Sequence, residues 1–448
     1  MSSAVKLKRM RLLILVLALA LLAMQTYAQK PEKLATTWDA EHITRMMPSD
    51  MRQPDVKKYL DDLKKLGLRV DQVGLSFQNR EIYQVEWGKG PLKIFMWSQM
   101  HGDEPTATAA LMDMFAYLQK HHADPAVKQM SSALTIRAVP MLNPDGAEMY
   151  QRRSSQDIDI NRDALDLKTP EAQLLKQLRD TWQPDVGFNL HNQQSLTTVD
   201  HSPYQATISL LVVYGDATKT SSPGLERNTR VASAIVNALT KFIPGHIGRY
   251  GDEYTPNAFG DNFTAWGTPT ILIETGALYG KDEMFLVKLN FIAFLTALES
   301  LASGSEKNEP MLPYQSLIGN ASGTLVNYVF RDANVVNIAP TVPPISSIGI
   351  ADIACVTERR RASFVTPTDI RAVGTLGGLR GLEEYDASGF YVVQRFGRTR
   401  VGELAEMLFY KRDRTIDWTA AELEKQFPPD AIFSQGKWFK GTGVVPKK

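Results

Sequence analysis

Two residues of types that bind metal ions, His101 and Glu104, are three positions apart in the segment His-Gly-Asp-Glu-Pro at residues 101–105. This spacing places two side chains on the same side of a turn or helix, near enough to share one ion. Imidazole and carboxylate are ligands of catalytic zinc, which takes three protein ligands and keeps one position open for water. The spacing alone is not specific, because a surface salt link at the start of a helix has the same pattern.

A third candidate ligand is His191, which follows an apolar run at residues 186–190. Such a run predicts a buried strand, and its last side chain lies at the edge of the sheet. A histidine there is also commonly a hydrogen-bonded structural residue, so its chemistry stays open at this point. The chain has one cysteine, Cys355. A cysteine-rich zinc site is therefore excluded, and any metal must be held by histidines and carboxylates.

Short apolar runs alternate with helical patterns over the first two thirds of the chain. The strand candidates are at residues 92–97, 134–140, 186–190, 208–213 and 270–273. Apolar residues at helical spacing follow at residues 107–118, 225–242 and 282–301. This alternation predicts an α/β fold, with a sheet covered by helices on both faces. The polar candidates follow the C-terminal ends of predicted strands, where open α/β sheets place their sites.

The sequence changes in character at residues 303–313, which we interpret as a linker. Beyond it, short runs rich in Val and Ile are interrupted by Gly and Pro, which predicts a smaller β-rich C-terminal domain. We therefore expect one domain at residues 29–305 and a second, of unknown role, at residues 306–448. A single helix is expected near residues 419–426.

Residues 1–28 have the pattern of a signal peptide. Four basic residues within the first 11 precede an apolar run at residues 12–24 and a small-residue cleavage site at residues 26–28. The run is too short to span a bilayer comfortably. We expect an exported protein, periplasmic or secreted, with no stable membrane insertion after the signal is removed.

The formal net charge is +1, from 50 basic and 49 acidic residues, and the composition is 44% hydrophobic and 22% charged. These values are typical of a globular protein. A near-neutral chain lacks the basic face of a nucleic-acid-binding protein, so no nucleic-acid partner is expected.

Five motifs occur in a defined order along the chain. They are His101-Gly102-Asp103-Glu104, Asn143-Pro144-Asp145-Gly146, Asp159-Ile160-Asn161-Arg162, His191 and Ile273-Glu274-Thr275-Gly276. In this order they resemble the zinc carboxypeptidase family, the carboxypeptidase A-like metallopeptidases, in an exported bacterial-type member. The resemblance covers about residues 50–302. Each motif alone is weak, whereas five in order are specific, and they imply a mixed, mostly parallel sheet.

The resemblance implies that His101, Glu104 and His191 hold one zinc ion per chain, with a fourth position open. Bound zinc lowers the pKa of its water and polarises the scissile carbonyl. Glu274 is then the general base and, in the next step, the general acid that gives the proton to the leaving amine. The implied activity is hydrolysis of a peptide bond at or near the C-terminus of a peptide. Without the resemblance, an acid such as Glu274 at a strand end is commonly a capping or salt-bridged residue.

Three arginines enter through the same resemblance. Arg162 matches the family's arginine that binds the terminal carboxylate of the substrate, with Asn161 assisting it. A guanidinium suits this task because it donates two parallel hydrogen bonds. Arg152 or Arg153 matches the arginine that stabilises the oxyanion, and we favour Arg153.

The sequence also departs from the family pattern. Digestive members carry a tyrosine shortly before the catalytic glutamate, and residues 259–266 contain none. Tyr250 or Tyr254 could take that role from a mobile loop. The connection from Glu104 to His191 is shorter than in the digestive enzymes, and no clear residue marks the base of a specificity pocket.

Two other functions remain open at this point. A zinc amidohydrolase of small acylated amino acids, as among the aspartoacylase and desuccinylase relatives, would share His-x-x-Glu and the downstream histidine. A non-catalytic binding protein is expected to lack Glu274 or a ligand, and all four residues are present. Within the peptidase hypothesis, the substrate is either a free peptide or a peptidoglycan stem peptide of the cell wall.

Overall fold

The computed structural model describes residues 30–339, 341, 345–357, 362–363 and 367–448. The predicted signal peptide, residues 1–28, lies outside the described residues. The chain divides into two compact units. The first holds the described residues up to Asn192, together with Ser209–Thr275 and Asp282–Leu317. The second holds Gln193–Ile208, Gly276–Lys281 and Ile318–Lys448.

The helices of the first unit are mostly defined at their N-termini by proline and by polar caps. Thr169, Ser222 and Asp282 each accept a backbone N–H of the first turn of the helix that follows, which satisfies a donor that the helix leaves free. The helices are α1 (Pro31–Glu41), α2 (Gln53–Lys65), α3 (Thr106–Lys120), α4 (Pro125–Ala133), α5 (Pro144–Met149), α6 (Pro170–Trp182), α7 (Pro223–Leu239), α8 (Phe259–Ala265), α9 (Glu283–Ser303) and α10 (Leu312–Gln315).

The sheet of the first unit has eight strands, namely β1 (Arg69–Leu75), β2 (Glu81–Gly88), β3 (Leu92–Ser98), β4 (Leu134–Val139), β5 (Val186–Asn192), β7 (Ile208–Val213), β8 (Ile247–Arg249) and β9 (Thr270–Thr275). Their order in the sheet is β1-β2-β4-β3-β5-β9-β7-β8. The central pairs β4–β3, β3–β5 and β5–β9 are parallel, whereas β1–β2 and β2–β4 are antiparallel. The prediction of a mixed α/β sheet is confirmed, and it brings the C-terminal ends of β3, β5 and β9 to one edge.

Helices cover this sheet because its central strands are apolar on both faces. On one face Phe95 and Trp97 pack with Phe263 of α8 and Leu175 of α6. Helix α9 packs against α3 and α7. Among the described residues, α9 is the one helix long and apolar enough to cross a membrane, and 72% of its most apolar window is buried. Such burial is typical of a core helix in a folded domain.

The second unit is built on a separate sheet, which confirms the predicted β-rich C-terminal region. Its main strands are β11 (Leu325–Ala339), β12 (Ile345–Thr357), β13 (Thr368–Gly374), β14 (Arg380–Asp386), β15 (Phe390–Gln394), β16 (Met407–Lys411), β17 (Ala431–Ser434) and β18 (Lys437–Lys440). Two short strands, β6 (Thr198–Val199) and β10 (Asn320–Ala321), pair with each other. Phe330, Phe409 and Phe433 are fully buried in its core.

Two segments differ from their sequence-based prediction. Residues 305–308 and α10, which fall in or beside the predicted linker, are helical parts of the first unit. Near the C-terminus, only Leu423–Gln426 forms a helix, α11, instead of residues 419–426. Trp418 packs against the core of the sheet instead of continuing a helix, so tertiary packing determines the conformation there.

Candidate metal centre

The turn between β3 and α3 presents His101 and Glu104 at the edge of the first unit's sheet. Gln99 has a left-handed backbone, with φ of 50°, which turns the chain directly after β3. A methyl group at Gly102 would overlap the backbone of Gly146. The His-Gly-Asp-Glu and Asn-Pro-Asp-Gly motifs are therefore in direct backbone contact, which explains the glycine at position 102. A methyl group at Gly146 would instead overlap the carbonyl of Arg153 and the side chain of Asn143.

The structure brings His101, Glu104 and His191 together. His101 Nδ1 lies 2.8 Å from Glu104 Oε1, and His191 Nδ1 lies 2.7 Å from Glu104 Oε2. The two histidine Nδ1 atoms are 3.1 Å apart. The histidines are each 2% exposed and Glu104 is 8% exposed. The alternative of a surface salt link is therefore wrong, since this group is buried.

These residues fit a zinc ion. Their ligand atoms all lie within 4.8 Å of one another. In tetrahedral zinc sites with bonds of about 2.0–2.1 Å, neighbouring ligand atoms are about 3.3 Å apart. Two ring nitrogens facing each other across a carboxylate form a natural cradle for a cation. Two histidines and one glutamate are also a donor set of catalytic zinc sites.

The electrostatics of the cluster favour a positive charge. Burial opposes a proton on His101, but Glu104 and Asp159 outweigh it and raise the pKa of His101 to about 9. Burial also opposes the charge of Glu104, yet the two histidines hold the pKa of that carboxyl well below its usual range. Burial lowers the pKa of His191. The cluster thus keeps the Glu104 carboxylate ionised and the His191 imidazole neutral, whereas His101 must release its proton when a metal binds.

Asp159 fixes the ring of His101 from outside the cluster. Its Oδ1 lies 3.1 Å from His101 Nε2, while Nδ1 faces the other ligands. A carboxylate on the second ring nitrogen orients a metal-binding histidine and raises its basicity. Burial opposes the charge of Asp159, but His101 and Arg152 keep its pKa below the usual range. The sequence alone does not reveal this role of Asp159, although Asp159 opens the Asp-Ile-Asn-Arg motif.

The two neighbouring arginines have different environments. Arg152 donates to Glu104 Oε1 over 3.3 Å and to Asp159 over 3.0 Å, so its guanidinium lies beside the ligands. Arg153 donates to the carbonyl of Asp157 and forms an ion pair with the exposed Asp157 side chain. The structure brings Arg152, and not the favoured Arg153, to the cluster. The preference for Arg153 is therefore revised, because the backbone directs its side chain towards solvent.

Glu274 lies next to His191, as its register partner on the adjacent parallel strand. Glu274 is 7% exposed. Burial raises the pKa of Glu274 well above its ordinary value, and the charge of Glu104 adds to this effect. The charge of Glu274, followed by burial, raises the pKa of Tyr250 to about 12. The phenol of Tyr250 is therefore near Glu274 and stays protonated at neutral pH.

Asn161 and Arg162 follow Asp159 on a short 3₁₀ helix. Asn161 Oδ1 accepts the backbone N–H of Phe259, so its amide anchors the start of α8. The guanidinium of Arg162 donates to the carbonyl of Asn161 and is exposed. Its charge acts on Tyr250, so the structure places Arg162 and Tyr250 in one neighbourhood.

A contact that our sequence analysis missed involves Asn192. Its backbone N–H donates to Glu104 Oε2 over 3.1 Å, and its side-chain amide donates to Thr106. The strand end next to His191 is thus tied to the carboxylate ligand. No motif revealed this contact, because it is made by a backbone group.

The sequence has recognisable relatives. Residues 56–265 match the family model described as zinc carboxypeptidase. Carboxypeptidase SOL1 of Arabidopsis thaliana is 24% identical over 158 residues, which is 31% of this chain and 31% of the relative. Carboxypeptidase D of Mus musculus is 29% identical over 119 residues, which is 23% of this chain and 9% of the relative. The chain thus spans less than a third of the length of either relative.

Among solved structures, a metallo-carboxypeptidase from Burkholderia cenocepacia is similar at 15% identity and a TM-score of 0.46, over 56% of this chain and 69% of that one. The family match includes all three candidate ligands, His101, Glu104 and His191. Over residues 56–265, the part of the chain that carries these ligands, the sequence is similar to the zinc carboxypeptidase family.

Proposed function

We propose that the protein is a zinc-dependent peptidase that cleaves a peptide bond at or near the C-terminus of its substrate. The observation that supports this most directly is the buried His101–Glu104–His191 cluster, with Glu274 on the adjacent strand. A site that only bound metal for stability would use a closed ligand set and would need no additional carboxylate beside it.

In this proposal His101, Glu104 and His191 hold one zinc ion. When bound, the ion supplies a Lewis acid and a water of lowered pKa. Glu274 would accept a proton at its carboxylate and later give it to the leaving amine. A carboxylate with a raised pKa suits both steps, because its proton affinity lies closer to the operating pH.

The remaining polar residues of the site have complementary roles. Arg152, beside the ligands, stabilises the negative charge that develops on the scissile carbonyl oxygen. Arg162 binds the terminal carboxylate of the substrate, and Asn161 holds the segment that carries it. Tyr250 donates a hydrogen bond to the substrate from its protonated phenol.

The first experiment is metal analysis of the purified chain alongside His191→Ala. We expect about one zinc per chain in the wild type and loss of zinc in the variant. The matched control is His246→Ala, because His246 lies outside the cluster. Leu190→Ala would not serve, since Leu190 is a core residue. A wild type that takes up no zinc, under conditions that load a control metalloenzyme, would contradict the proposal.

The activity test compares peptides that differ only at their C-terminus. A free carboxylate should be cleaved, and the amidated version should be a poor substrate because Arg162 has no carboxylate to bind. Glu274→Gln should retain zinc and lose at least about 100-fold in kcat, the typical contribution of a general acid–base group. A Glu274→Gln variant with wild-type kcat would exclude the proposed base.

The same screen should include peptidoglycan stem peptides and small N-acylated amino acids. Cleavage of stem peptides alone would identify a cell-wall enzyme, and hydrolysis of acylated amino acids alone would favour an amidohydrolase. We also propose that the protein is exported, on the basis of residues 1–28. N-terminal sequencing of the mature protein tests this, with Gln29 as the expected first residue.

A further inference from the structure

Two segments of the second unit connect directly to the strands that carry the proposed site. The segment Gln193–Ile208 begins immediately after β5, two residues beyond His191, and Gly276–Lys281 begins immediately after β9, two residues beyond Glu274. Both therefore follow a strand end whose position matters for the chemistry. The two segments contact each other, and they contact the β-rich region of the second unit, Ile318–Lys448.

Within the second unit, Gln193 joins the first segment to the start of the β-rich region. Its Oε1 accepts the side-chain amide of Asn320 over 2.7 Å. Its Nε2 donates to the carbonyl of Ala206, also over 2.7 Å. The pairing of β6 with β10 attaches the same segment to residues 320–321 a second time.

The second segment, Gly276–Lys281, is hydrogen-bonded to the first segment. The N–H of Gly276 donates to the carbonyl of Thr207, and a methyl group at Gly276 would overlap the carbonyl of Ala206. This close approach explains the glycine of the Ile-Glu-Thr-Gly motif. Tyr279 donates its N–H to Gln205 Oε1 over 2.6 Å.

The phenol of Tyr279 reaches the sheet of the second unit. It is hydrogen-bonded to the carboxylate of Glu383 on β14. The same carboxylate accepts Tyr385 over 2.5 Å and Lys447 over 3.1 Å. Glu383 thus joins the segment after β9 to β14 and to Lys447 near the C-terminus.

We infer that the β-rich region positions the ends of β5 and β9 through these two segments, with Asn320 and Tyr279 as positioning residues. This inference rests on the proposed function, because it assigns the region a role in the reaction of that site. Displacement of a reacting group by about 1 Å can lower a rate by about 100-fold. Loosening one attachment is therefore expected to lower kcat/KM without unfolding the chain.

The test uses the full chain with Asn320→Ala and Tyr279→Phe, alone and combined. Tyr391→Phe is the matched control, because Tyr391 lies in the same unit and packs its ring on Trp418. Hydrogen–deuterium exchange is measured for the amides of residues 190–192 and 273–275, together with zinc content, kcat and KM. We expect faster exchange at both strand ends in the test variants and a loss of about tenfold in kcat/KM, mostly in kcat.

The inference would be overturned if the strand-end amides of both test variants exchange at the wild-type rate. It would also be overturned if they exchange faster while kcat/KM is undiminished. An equal loss in Tyr391→Phe would overturn it too, because the effect would then be general to the unit. A wild type that binds zinc but cleaves no peptide would contradict the proposed function. Exchange at the strand ends would still decide the positioning role in that case.

Discussion

Arg152 and Arg153 form a natural pair for a residue-scale test, since they are identical in type and adjacent. Arg152 lies beside Glu104 and Asp159, whereas Arg153 lies with Asp157 at the surface. We expect Arg152→Gln to lower kcat by about 100-fold, the typical effect of removing one oxyanion-stabilising donor. Arg153→Gln should remain within about twofold of the wild type, because surface changes of this kind have small effects.

Steady-state kinetics on both variants, with zinc content measured in each, separates loss of oxyanion stabilisation from loss of metal. A larger effect in Arg153→Gln would restore the original assignment from the sequence. Equal losses in the two variants would show that neither guanidinium is specific to the reaction.

Asp145, in the Asn-Pro-Asp-Gly motif, contributes to structure through a network of hydrogen bonds. Its carboxylate accepts Ser76 and Arg80 over 2.7 Å each, and also the backbone N–H of Gln78 and the hydroxyl of Ser155. Burial opposes its charge, but these donors outweigh burial and lower the pKa of Asp145. The motif residue thus joins α5 to the turn between β1 and β2.

We expect Asp145→Asn to reduce the free energy of unfolding by about 1–3 kcal/mol at pH 7. Because the pKa of Asp145 is lower in the folded state, its stabilisation is present above the unfolded-state pKa of about 3.9 and is lost as the pH falls through the folded-state pKa. The difference between variant and wild type should therefore shrink in acid. Urea denaturation of metal-free protein from pH 7 to pH 3 measures it, with the exposed Asp157→Asn as control. A difference that stays constant with pH would contradict the assignment.

At the scale of elements, the turn that carries two ligands depends on backbone contact between β3–α3 and α5. Gly102→Ala should be strongly disruptive, because its methyl group would overlap the backbone of Gly146. We expect a loss of at least about 2 kcal/mol in stability and weaker zinc binding. Gly251→Ala is the matched control, since no atom lies within 4 Å of its added methyl group. Thermal unfolding and metal titration of both variants test this, and equal behaviour of the two would exclude a role for the contact.

The elements that sequence patterns predicted best are those with continuous apolar runs. β3, β4, β5, β7 and β9 were all expected, because buried parallel strands are uninterrupted in hydrophobicity. The short helices α5 and α8 were not identified, since each contains a glycine and depends on packing rather than on intrinsic propensity. The order of the motifs along the chain identified four candidate site residues, His101, Glu104, His191 and Glu274. It could not distinguish Arg152 from Arg153, because the direction of each side chain depends on the folded backbone.

The sequence predicted only part of the division of the chain into two units. A boundary near residue 305 was expected from composition, whereas two segments within the first 281 residues belong with the second unit. Their placement rests on contacts between residues far apart in the chain, such as Gln193 with Asn320. Local patterns carry no signal for such pairs.

At the scale of the whole molecule, stability should depend on the metal. Three ligands come from two separate parts of the first unit, the turn after β3 and the end of β5, so a bound ion stabilises the folded state and not the unfolded chain. Zinc at about 1,000 times its Kd adds about 4 kcal/mol. Removal of zinc by a chelator should lower Tm by several degrees, and added zinc should restore it.

Calorimetry with bound metal verified beforehand measures the shift. His191→Ala is the control, and it should start at a lower Tm and not respond to the chelator. An unchanged Tm in the wild type would place any bound zinc outside the core, and an equal shift in His191→Ala would show that the chelator acts elsewhere.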